Sequence, residues 1–286
     1  MPVSLLGATE IRRLAADLDV VPTKKLGQNF VVDANTVRKI VQVAAVTPQD
    51  RVVEIGPGLG SLTLAVLEQG AEVVAVEIDR RLAERLPTTA LEHGVTDGAL
   101  TVVCADALRV TDLPGDPDVL VANLPYNVSV PVLLHFLETF PALTRGVVMV
   151  QAEVGERLAA PPGSKVYGSP SAKAAWYGPW RLAGTVSRQV FWPVPNVDSV
   201  LVAFSRDAQP RGSEEERRRT FAIVDAAFQQ RRKMLRQALA AVLGGSSAAA
   251  SAVLESAGVA PTARGEELSI DDFLRVARAM GDAGRS

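Results

Sequence analysis

The chain has 286 residues, of which 48% are hydrophobic and 22% are charged, and its formal net charge is −2. This length allows one large hydrophobic core and a second, smaller one, while the charge balance argues against a nucleic-acid partner bound through net charge alone. No apolar stretch approaches the roughly 20 residues that span a bilayer, and the N-terminus lacks a basic-then-apolar signal pattern. We therefore expect a two-domain cytoplasmic protein without membrane attachment.

The first half of the chain has the pattern of an α/β domain. Residues 1 to about 20 repeat apolar positions at helical spacing and predict a short N-terminal helix. From Asp50 to about Gln151, helical stretches alternate with the Val-rich runs "RVVEIG", "EVVAVEID", "LTVVCAD", "DVLVAN" and "GVVMVQ". Continuous apolar runs are typical of parallel strands covered on both faces. They predict a doubly wound sheet, with Cys104, the only cysteine, buried in its third strand.

The rest of the chain changes from strands to helices. After the helical segment "EVGERLAA" and a loop rich in Gly, Pro and Ser, the runs "TVSRQVF" and "SVLVAFS" predict a closing pair of strands. The polar segment "RDAQPRGSEEE" reads as a linker. Helices follow, the longest over "TFAIVDAAFQQRRKMLRQALAAVL". We predict an α/β domain over residues 1–206 and a helical domain over residues 207–286.

Three glycines, Gly56, Gly58 and Gly60, follow the first predicted strand of the sheet. Their spacing, G-x-G-x-G, differs from the G-x-G-x-x-G of dinucleotide-binding folds, and Glu54 precedes them. A carboxylate at such a turn repels phosphate. The turn therefore favours a ligand that carries a cationic or amine-bearing group.

Polar side chains follow the next strands. Glu77 ends the second strand at the position where an acidic residue binds ribose hydroxyls in related folds, Asp106 follows the third strand, and Asn123 ends the fourth. Parallel strands present these ends at one edge of the sheet, where Asp106 could bond an adenine amino group. Ribose, adenine and a cationic centre without phosphate describe S-adenosylmethionine.

Seven segments together resemble one family. The segments "KKLGQNFVVD", "EIGPGLGSLT", "VEID", "DAL", "NLPYNVSVPVL", "FWPVPNVDS" and "FQQRRKMLRQAL" occur in the order seen in ribosomal RNA adenine N6,N6-dimethyltransferases. The resemblance runs from about Lys24 to the C-terminal helices and is closest to the bacterial small-subunit (16S) members. It implies a Rossmann-like methyltransferase sheet with a small all-α C-terminal domain. It also implies methyl transfer from S-adenosylmethionine to N6 of two adjacent adenosines near the 3′ end of 16S rRNA, during ribosome biogenesis.

The resemblance implies particular cofactor contacts. Asn29 and Val31 would contact the methionine part of the cofactor, and Gly56 would lie under its methionyl end. Glu77 would bind the ribose, Asp106 the adenine, and Asn123 the junction of cofactor and substrate. Asn29 also has a simpler interpretation, as a cap of the helix that follows it.

The segment "NLPY" interrupts an apolar run between a strand and a helix. It could be a plain turn, but the resemblance favours a catalytic role for this segment. The Asn123 side-chain oxygen and the Leu124 carbonyl would accept the two N6 hydrogens of adenine, because N6 becomes a better nucleophile as it is drawn towards tetrahedral geometry. Pro125 would fix the turn and Tyr126 would stack on the base. Phe191 would cover the other face of the base, unless it is a core aromatic.

Basic residues form a predicted RNA footprint despite the acidic total. Lys24 and Lys25 lie near the N-terminus, and one long predicted helix carries the others: Arg231, Arg232, Lys233 and Arg236. A solvated helix face is the alternative interpretation. The expected partner is small-subunit rRNA in a partly assembled ribosomal subunit.

Three positions depart from the family pattern and bear on substrate contact. Asn196 stands where a lysine is common, Ala152 where a basic residue is usual, and Pro170, with Ala172, where larger apolar residues are usual. The isolated histidines, His93 and His135, predict no metal site. Three other functions stay open: a large-subunit rRNA methyltransferase of the antibiotic-resistance type, a ribosome-assembly factor with secondary catalysis, and a small-molecule methyltransferase.

Overall fold

A computed structural model describes residues 2–21, 29–124 and 128–283, with the side chains of residues 282 and 283 left out. The chain forms two compact units. The first comprises Met1–Gly155 and Arg181–Arg206, and the second comprises Glu156–Trp180 and Asp207–Ser286. The predicted boundary after residue 206 therefore does not account for the segment Glu156–Trp180, which belongs to the second unit.

The first unit is built on a seven-stranded sheet. Its strands are β2 (Arg51–Ile55), β3 (Glu72–Glu77), β4 (Leu100–Cys104), β5 (Val119–Asn123), β6 (Arg145–Gln151), β7 (Trp180–Val186) and β9 (Ser199–Ser205). The order is β4-β3-β2-β5-β6-β9-β7. Strands β2 to β6 pair in parallel, and β9 is antiparallel to β6. The doubly wound sheet is confirmed, since the central Val-rich strands are buried on both faces.

A second, two-stranded sheet brings distant parts of the chain together. It pairs β1 (Phe30–Val31) with β8 (Phe191–Trp192) in antiparallel register. The register places Val31 opposite Phe191, and the Phe30 and Trp192 rings stack with centroids 6.3 Å apart.

Helices cover the sheet of the first unit. They are α1 (Ala8–Asp17), α2 (Ala34–Val43), α3 (Ser61–Leu67), α4 (Arg80–Glu92), α5 (Ser129–Thr139) and the start of α6 (Ala152–Leu158). Two aspartates cap helix N-termini: Asp33 accepts a hydrogen bond from the backbone of Thr36, and Asp79 from the backbone of Arg81. The predicted N-terminal helix is confirmed as α1, whose buried face joins the core.

The second unit is helical. It contains α7 (Ser169–Ala175), α8 (Glu214–Gln229), α9 (Leu235–Ala238), α10 (Ser247–Ser256) and α11 (Ile270–Ala283). Tyr167 is fully buried in its core, packs against Phe228 and donates a hydrogen bond to the carbonyl of Leu268 at 2.9 Å. Tyr167 therefore ties the segment Glu156–Trp180 to this unit. In the described part of the chain, no helix has the length and apolar character needed to cross a membrane.

The long helix predicted over "TFAIVDAAFQQRRKMLRQALAAVL" is wrong, because it is broken. Helix α8 ends at Gln229, and α9 begins only at Leu235. The backbone amides of Leu235 and Arg236 donate to the carbonyls of Ala263 and Pro261, at 2.8 and 3.1 Å. Tertiary hydrogen bonds thus replace the continuous helical ladder, and apolar periodicity does not reveal them.

Two strand predictions are also corrected. The segment "TVSRQVF" is not one strand: β7 ends at Val186, a 3₁₀ turn covers Arg188–Val190, and Phe191 belongs to β8. The Asp198 carboxylate accepts from the backbone amide of Arg188 at 3.0 Å and stabilises this break. Cys104, expected to be buried, is exposed because β4 is the edge strand of the sheet.

Candidate active site

The glycine turn lies between β2 and α3 and requires positive φ angles of +68°, +58° and +99° at Gly56, Gly58 and Gly60. A Cβ at Gly58 would lie 3.0 Å from the Phe30 ring, and one at Gly60 would lie 2.7 Å from Leu86. A Cβ at Gly56, by contrast, would meet no other described atom within 4 Å. Packing thus explains two of the glycines, while Gly56 borders open space that a ligand could enter.

Glu77 connects this turn to the end of β3. Its carboxylate accepts from the backbone amides of Gly58 at 3.1 Å and of Asp79 at 2.9 Å. Burial raises the pKa of Glu77, and the two amide bonds oppose that effect. The carboxylate is therefore held in one orientation at the sheet edge, as a hydrogen-bond acceptor for a ribose requires.

Glu54 lies one residue before the end of β2 and is only 1% exposed. The hydroxyl of Thr63, on α3, donates to its carboxyl at 2.6 Å. Burial, with a smaller effect of nearby Glu77, raises the pKa of Glu54 to about 8. The sequence argument that a charged Glu54 repels phosphate therefore needs correction, because this group is mostly neutral at pH 7.

Asp106 and Asn123 occupy the carboxyl ends of β4 and β5, as predicted. The half-buried Asp106 carboxylate accepts from the backbone amide of Leu108 at 2.9 Å. The Asn123 side-chain nitrogen donates to the carbonyl of Asn29 at 3.1 Å, although 94 residues separate them. This bond directs the amide of Asn123 so that its oxygen is the group left to accept from a substrate.

The structure places the other predicted contacts near β1 and β8. Asn29 immediately precedes β1, and Val31 pairs with Phe191. Phe191 is 3% exposed. Its stacking on a base stays a prediction, because a base could reach the ring only if the residues around it moved. Leu124 is buried, and its amide donates to the carbonyl of Met149 at 3.1 Å. The predictions for four residues fall outside the described part of the chain: Lys24, Lys25, Pro125 and Tyr126.

Sequence reasoning missed two residues at this edge. Thr63, whose hydroxyl donates to Glu54, is buried in the first turn of α3. The sign of this contact in the sequence is that Thr63 follows Glu54 by nine residues. Ile78 follows Glu77 and is 69% exposed. If Glu77 binds a ligand as predicted, this exposed apolar side chain beside it would offer contact surface for a flat ring.

The predicted basic cluster is divided by the break after α8. Arg231 is used inside the second unit, where it donates to the Glu266 carboxylate and to the carbonyl of Lys165, both at 2.7 Å. Arg232 and Lys233 are exposed and Arg236 is half-buried. Within the described residues, none of these three side chains has a recorded partner. Within this cluster, these three cations are not used in internal ion pairs, and their binding of RNA stays a prediction.

The positions that depart from the family pattern have structural uses. The backbone carbonyl of Asn196 accepts from Arg188 at 3.2 Å and steadies the loop after β8. Ala152 begins α6. Pro170 lies in the first turn of α7, and Ala172 is fully buried in the second unit. Among the described residues, no cluster of three His, Cys, Asp or Glu side chains is arranged to hold a metal ion.

Comparison with known proteins shows the family of the chain. A model of the family described as "Ribosomal RNA adenine dimethylase" matches residues 22–282. The chain belongs to this family. The dimethylase is 68% identical over 274 residues to "Ribosomal RNA small subunit methyltransferase A" of Leifsonia xyli subsp. xyli, covering 96% of this chain and 98% of the relative. It is 60% identical over 275 residues to the protein of that name from Thermobifida fusca, covering 96% and 95%.

Solved structures share the fold of the dimethylase. A dimethyladenosine transferase from Plasmodium falciparum superposes with a TM-score of 0.76 at 24% identity, over 88% of this chain and 97% of that one. The 23S rRNA methyltransferase ErmE gives a TM-score of 0.66 at 25% identity, over 88% and 99%. These likenesses confirm the Rossmann-like methyltransferase sheet with a helical C-terminal part.

The dimethylase is an enzyme that uses S-adenosylmethionine. The residues present fit this cofactor, because Gly56 borders open space and Glu77 presents a fixed acceptor. Asp106 and the exposed Ile78 would lie at the adenine, and Asn29 and Gly56 at the methionine part. When bound, the cofactor supplies an activated methyl group on a sulfonium.

Replacing Glu77 with alanine is expected to raise the Kd for S-adenosylmethionine by at least about 10-fold, because each hydrogen bond to a charged group contributes about 1.5–3 kcal/mol. The change removes the predicted ribose acceptor and releases the amide of Gly58. Titration calorimetry measures the Kd. Glu72→Ala is the matched control, since Glu72 begins the same strand and is exposed. Equal affinities of the two variants would contradict the assignment.

Proposed function

We propose that the chain is a small-subunit (16S) rRNA adenine N6,N6-dimethyltransferase that modifies two adjacent adenosines near the 3′ end of that RNA. The observation that carries this proposal is the identity of 68% and 60% to proteins named as small-subunit methyltransferases, along nearly the whole chain. The similarity includes the helical second unit as well as the sheet. ErmE, a methyltransferase of 23S rRNA, is 25% identical.

The site supplies what methylation of an exocyclic adenine nitrogen requires. The N6 lone pair is delocalised into the ring, so N6 attacks well only when its hydrogens are drawn out of the ring plane. The Asn123 oxygen and the Leu124 carbonyl are the acceptors we assign to those hydrogens. Asn29 orients the first. The Leu124 amide donates to the carbonyl of Met149 and anchors the backbone immediately before the second.

Positioning supplies most of the rate in this proposal. The methyl donor is already activated, so the protein has to align N6 for in-line attack rather than generate a strong nucleophile. Two fixed dipoles at N6 also favour the positive charge that develops on this nitrogen during transfer. After the methyl group has arrived, N6 is positively charged and acidic, so its proton passes to solvent water and no charged base is needed at the site.

Three basic residues of the second unit support the assignment of an RNA partner. Arg232, Lys233 and Arg236 carry positive charge without an internal partner among the described residues, which suits contact with RNA phosphates. We assign as substrate the rRNA of a partly assembled small subunit in the cytoplasm. Such contacts position the RNA, and base recognition belongs to the site at Asn123.

The test is transfer of labelled methyl groups from S-adenosylmethionine to small and large ribosomal subunits that lack these modifications. We expect dimethyladenosine in small-subunit RNA and its loss in Asn123→Ala. Label confined to large-subunit RNA would overturn the proposal in favour of a resistance-type enzyme. Binding to small subunits without transfer would overturn it in favour of an assembly factor.

Removing the three unpartnered cations together, as Arg232→Ala, Lys233→Ala and Arg236→Ala, is expected to weaken binding to small subunits by at least about 10-fold. Each lost phosphate contact should also lower the slope of log K against log salt by about 1. Binding measured at several salt concentrations gives both quantities. Affinity for S-adenosylmethionine should stay unchanged.

The matched control removes three exposed cations from the first unit, namely Arg12, Arg13 and Lys39. It changes the net charge by the same amount, so a general charge effect would weaken both triple variants alike. That result would contradict the assigned surface. Arg231 is left intact because its bonds to Glu266 and Lys165 make it part of the fold.

A further inference from the structure

The N-terminal element of the chain, residues 2–21, is attached to both ends of α4. At the C-terminal end of this helix, the backbone amide of Ser4 donates to the carbonyl of His93 at 3.0 Å. The Ser4 hydroxyl and the His93 ring nitrogen Nδ1 also lie 2.9 Å apart. The buried faces of α1 and α4 belong to one hydrophobic core. The other attachment lies at the first turn of α4, close to Glu77.

Arg81, in that first turn, makes the second attachment. Helix α1 is followed by Leu18 and by Asp19, whose φ of +50° is the left-handed conformation common just past a helix end. The guanidinium of Arg81 donates to the carbonyls of Leu18 and Asp19, at 3.4 and 3.1 Å. A cation at these carbonyls also matches the negative end of the helix dipole. Arg81 therefore caps the C-terminus of α1 from a different helix.

The same guanidinium also holds Asp79. Nε of Arg81 donates to one carboxylate oxygen of Asp79 at 3.2 Å, and Nη2 donates to the other at 2.7 Å. The backbone amide of Asp79 in turn donates to the carboxylate of Glu77 at 2.9 Å. A short series of hydrogen bonds thus connects the end of α1 to the carboxylate that we assign to the ribose.

The charge of Arg81 acts in the same direction. Burial raises the pKa of Glu77, and the negative charge of Asp79 adds to this effect against the backbone amides that oppose it. The hydrogen bonds from Arg81 are the main reason why the pKa of Asp79 is lowered. Without Arg81, an unpaired Asp79 carboxylate would disfavour the ionised form of Glu77, which is the better acceptor for hydroxyl groups.

We propose that Arg81 is a positioning residue for S-adenosylmethionine, which braces the turn from Glu77 to Asp79 against the end of α1 and so keeps the Glu77 carboxylate in place. Arg81 is assigned no contact with the cofactor and acts through these two acidic residues. The N-terminal element thereby contributes to cofactor affinity without supplying a cofactor contact. The inference rests on the assignment of Glu77 to the ribose and not on the identity of the RNA.

Arg81→Ala is expected to raise the Kd for S-adenosylmethionine by about 3- to 5-fold, the size of effect that a well-aligned exposed ion pair can have. The kcat at saturating cofactor should stay unchanged, because the lost interaction acts on cofactor binding. Titration calorimetry gives the Kd, and methyl transfer to small subunits gives kcat. Arg80→Ala is the matched control, since Arg80 is the adjacent exposed arginine and pairs with Glu84 instead of Asp79.

A double-mutant cycle separates positioning from a general structural role. Because Arg81 acts through Glu77, Arg81→Ala should leave the Kd unchanged when it is made in the Glu77→Ala variant. The same cycle with Arg81→Lys keeps the test decisive if Arg81→Ala does not fold. Lysine retains the charge but not the two-nitrogen contact with Asp79, so the loss should be smaller and should again depend on Glu77.

Three results would count against these assignments in different ways. An equal rise in Kd with and without Glu77 would overturn the role of Arg81 as a positioning residue. Equal affinities of Arg80→Ala and Arg81→Ala would overturn it as well. A Kd that Glu77→Ala alone leaves unchanged would instead contradict the assignment of Glu77 to the ribose.

Discussion

Asn123→Ala is expected to lower kcat for dimethyladenosine formation by about 10²–10³-fold, the usual loss when one preorganised polar group of an active site is removed. The structure gives the reason for so large an effect. The Asn123 amide is fixed by its bond to the carbonyl of Asn29 at 3.1 Å, so its oxygen is already aimed when the base arrives. Single-turnover transfer to small subunits measures the chemical step.

An exposed asparagine elsewhere in the first unit provides the control for this variant. Asn35 lies in the first turn of α2, and Asn35→Ala should leave kcat unchanged. Cofactor affinity is measured in parallel, because the loss in Asn123→Ala should be larger in kcat than in binding of S-adenosylmethionine. An unchanged kcat in Asn123→Ala would remove Asn123 from the reacting centre.

The second large effect is expected in the stability of the free protein. The pKa of Glu54 rises from 4.5 to about 8 on folding, so the folded state binds a proton over this range that the unfolded chain has lost. Stability from Glu54 is complete below pH 4.5 and is lost as pH rises through about 8. The loss approaches about 1.4 kcal/mol per pH unit, or about 5 kcal/mol in total.

Comparison with Glu54→Gln isolates this contribution, because every other titrating group is common to both proteins. The free energy of unfolding, measured with urea at pH 5, 6, 7 and 8, should turn progressively in favour of the variant. Glu72→Gln, at an exposed position, should show no such trend. A difference between wild type and Glu54→Gln that does not vary with pH would contradict the raised pKa.

The sheet and the placement of the polar residues at the carboxyl ends of its strands could be predicted because local sequence determines both. Val-rich runs make buried parallel strands, and the carboxyl ends of such strands meet at one edge. Glu77, Asp106 and Asn123 therefore came together from their positions alone. The glycine turn was equally readable, since Gly56, Gly58 and Gly60 all adopt positive φ.

What could not be predicted depends on contacts between distant residues. Nothing in the sequence near Phe191 indicates that it pairs with Val31. Nothing near Leu235 and Arg236 indicates that their amides bond the carbonyls of Ala263 and Pro261 instead of continuing the helical ladder. The segment Glu156–Trp180 was assigned to the wrong unit because its anchor, Tyr167, bonds a carbonyl about 100 residues further on. Burial of Glu54 in the core raises its pKa, and the sequence around it does not indicate that burial.

The bond between Asn123 and Asn29 has a consequence for the order of events in dimethylation. An amide held at its nitrogen cannot turn to offer a donor in place of its oxygen. A monomethylated adenine has one N6 hydrogen for the two acceptors of the proposed site, and one acceptor loses its partner. The monomethylated intermediate is therefore bound more weakly than the unmodified base, by about 1–3 kcal/mol. Each round of transfer begins from a different set of hydrogen bonds to the same nucleotide.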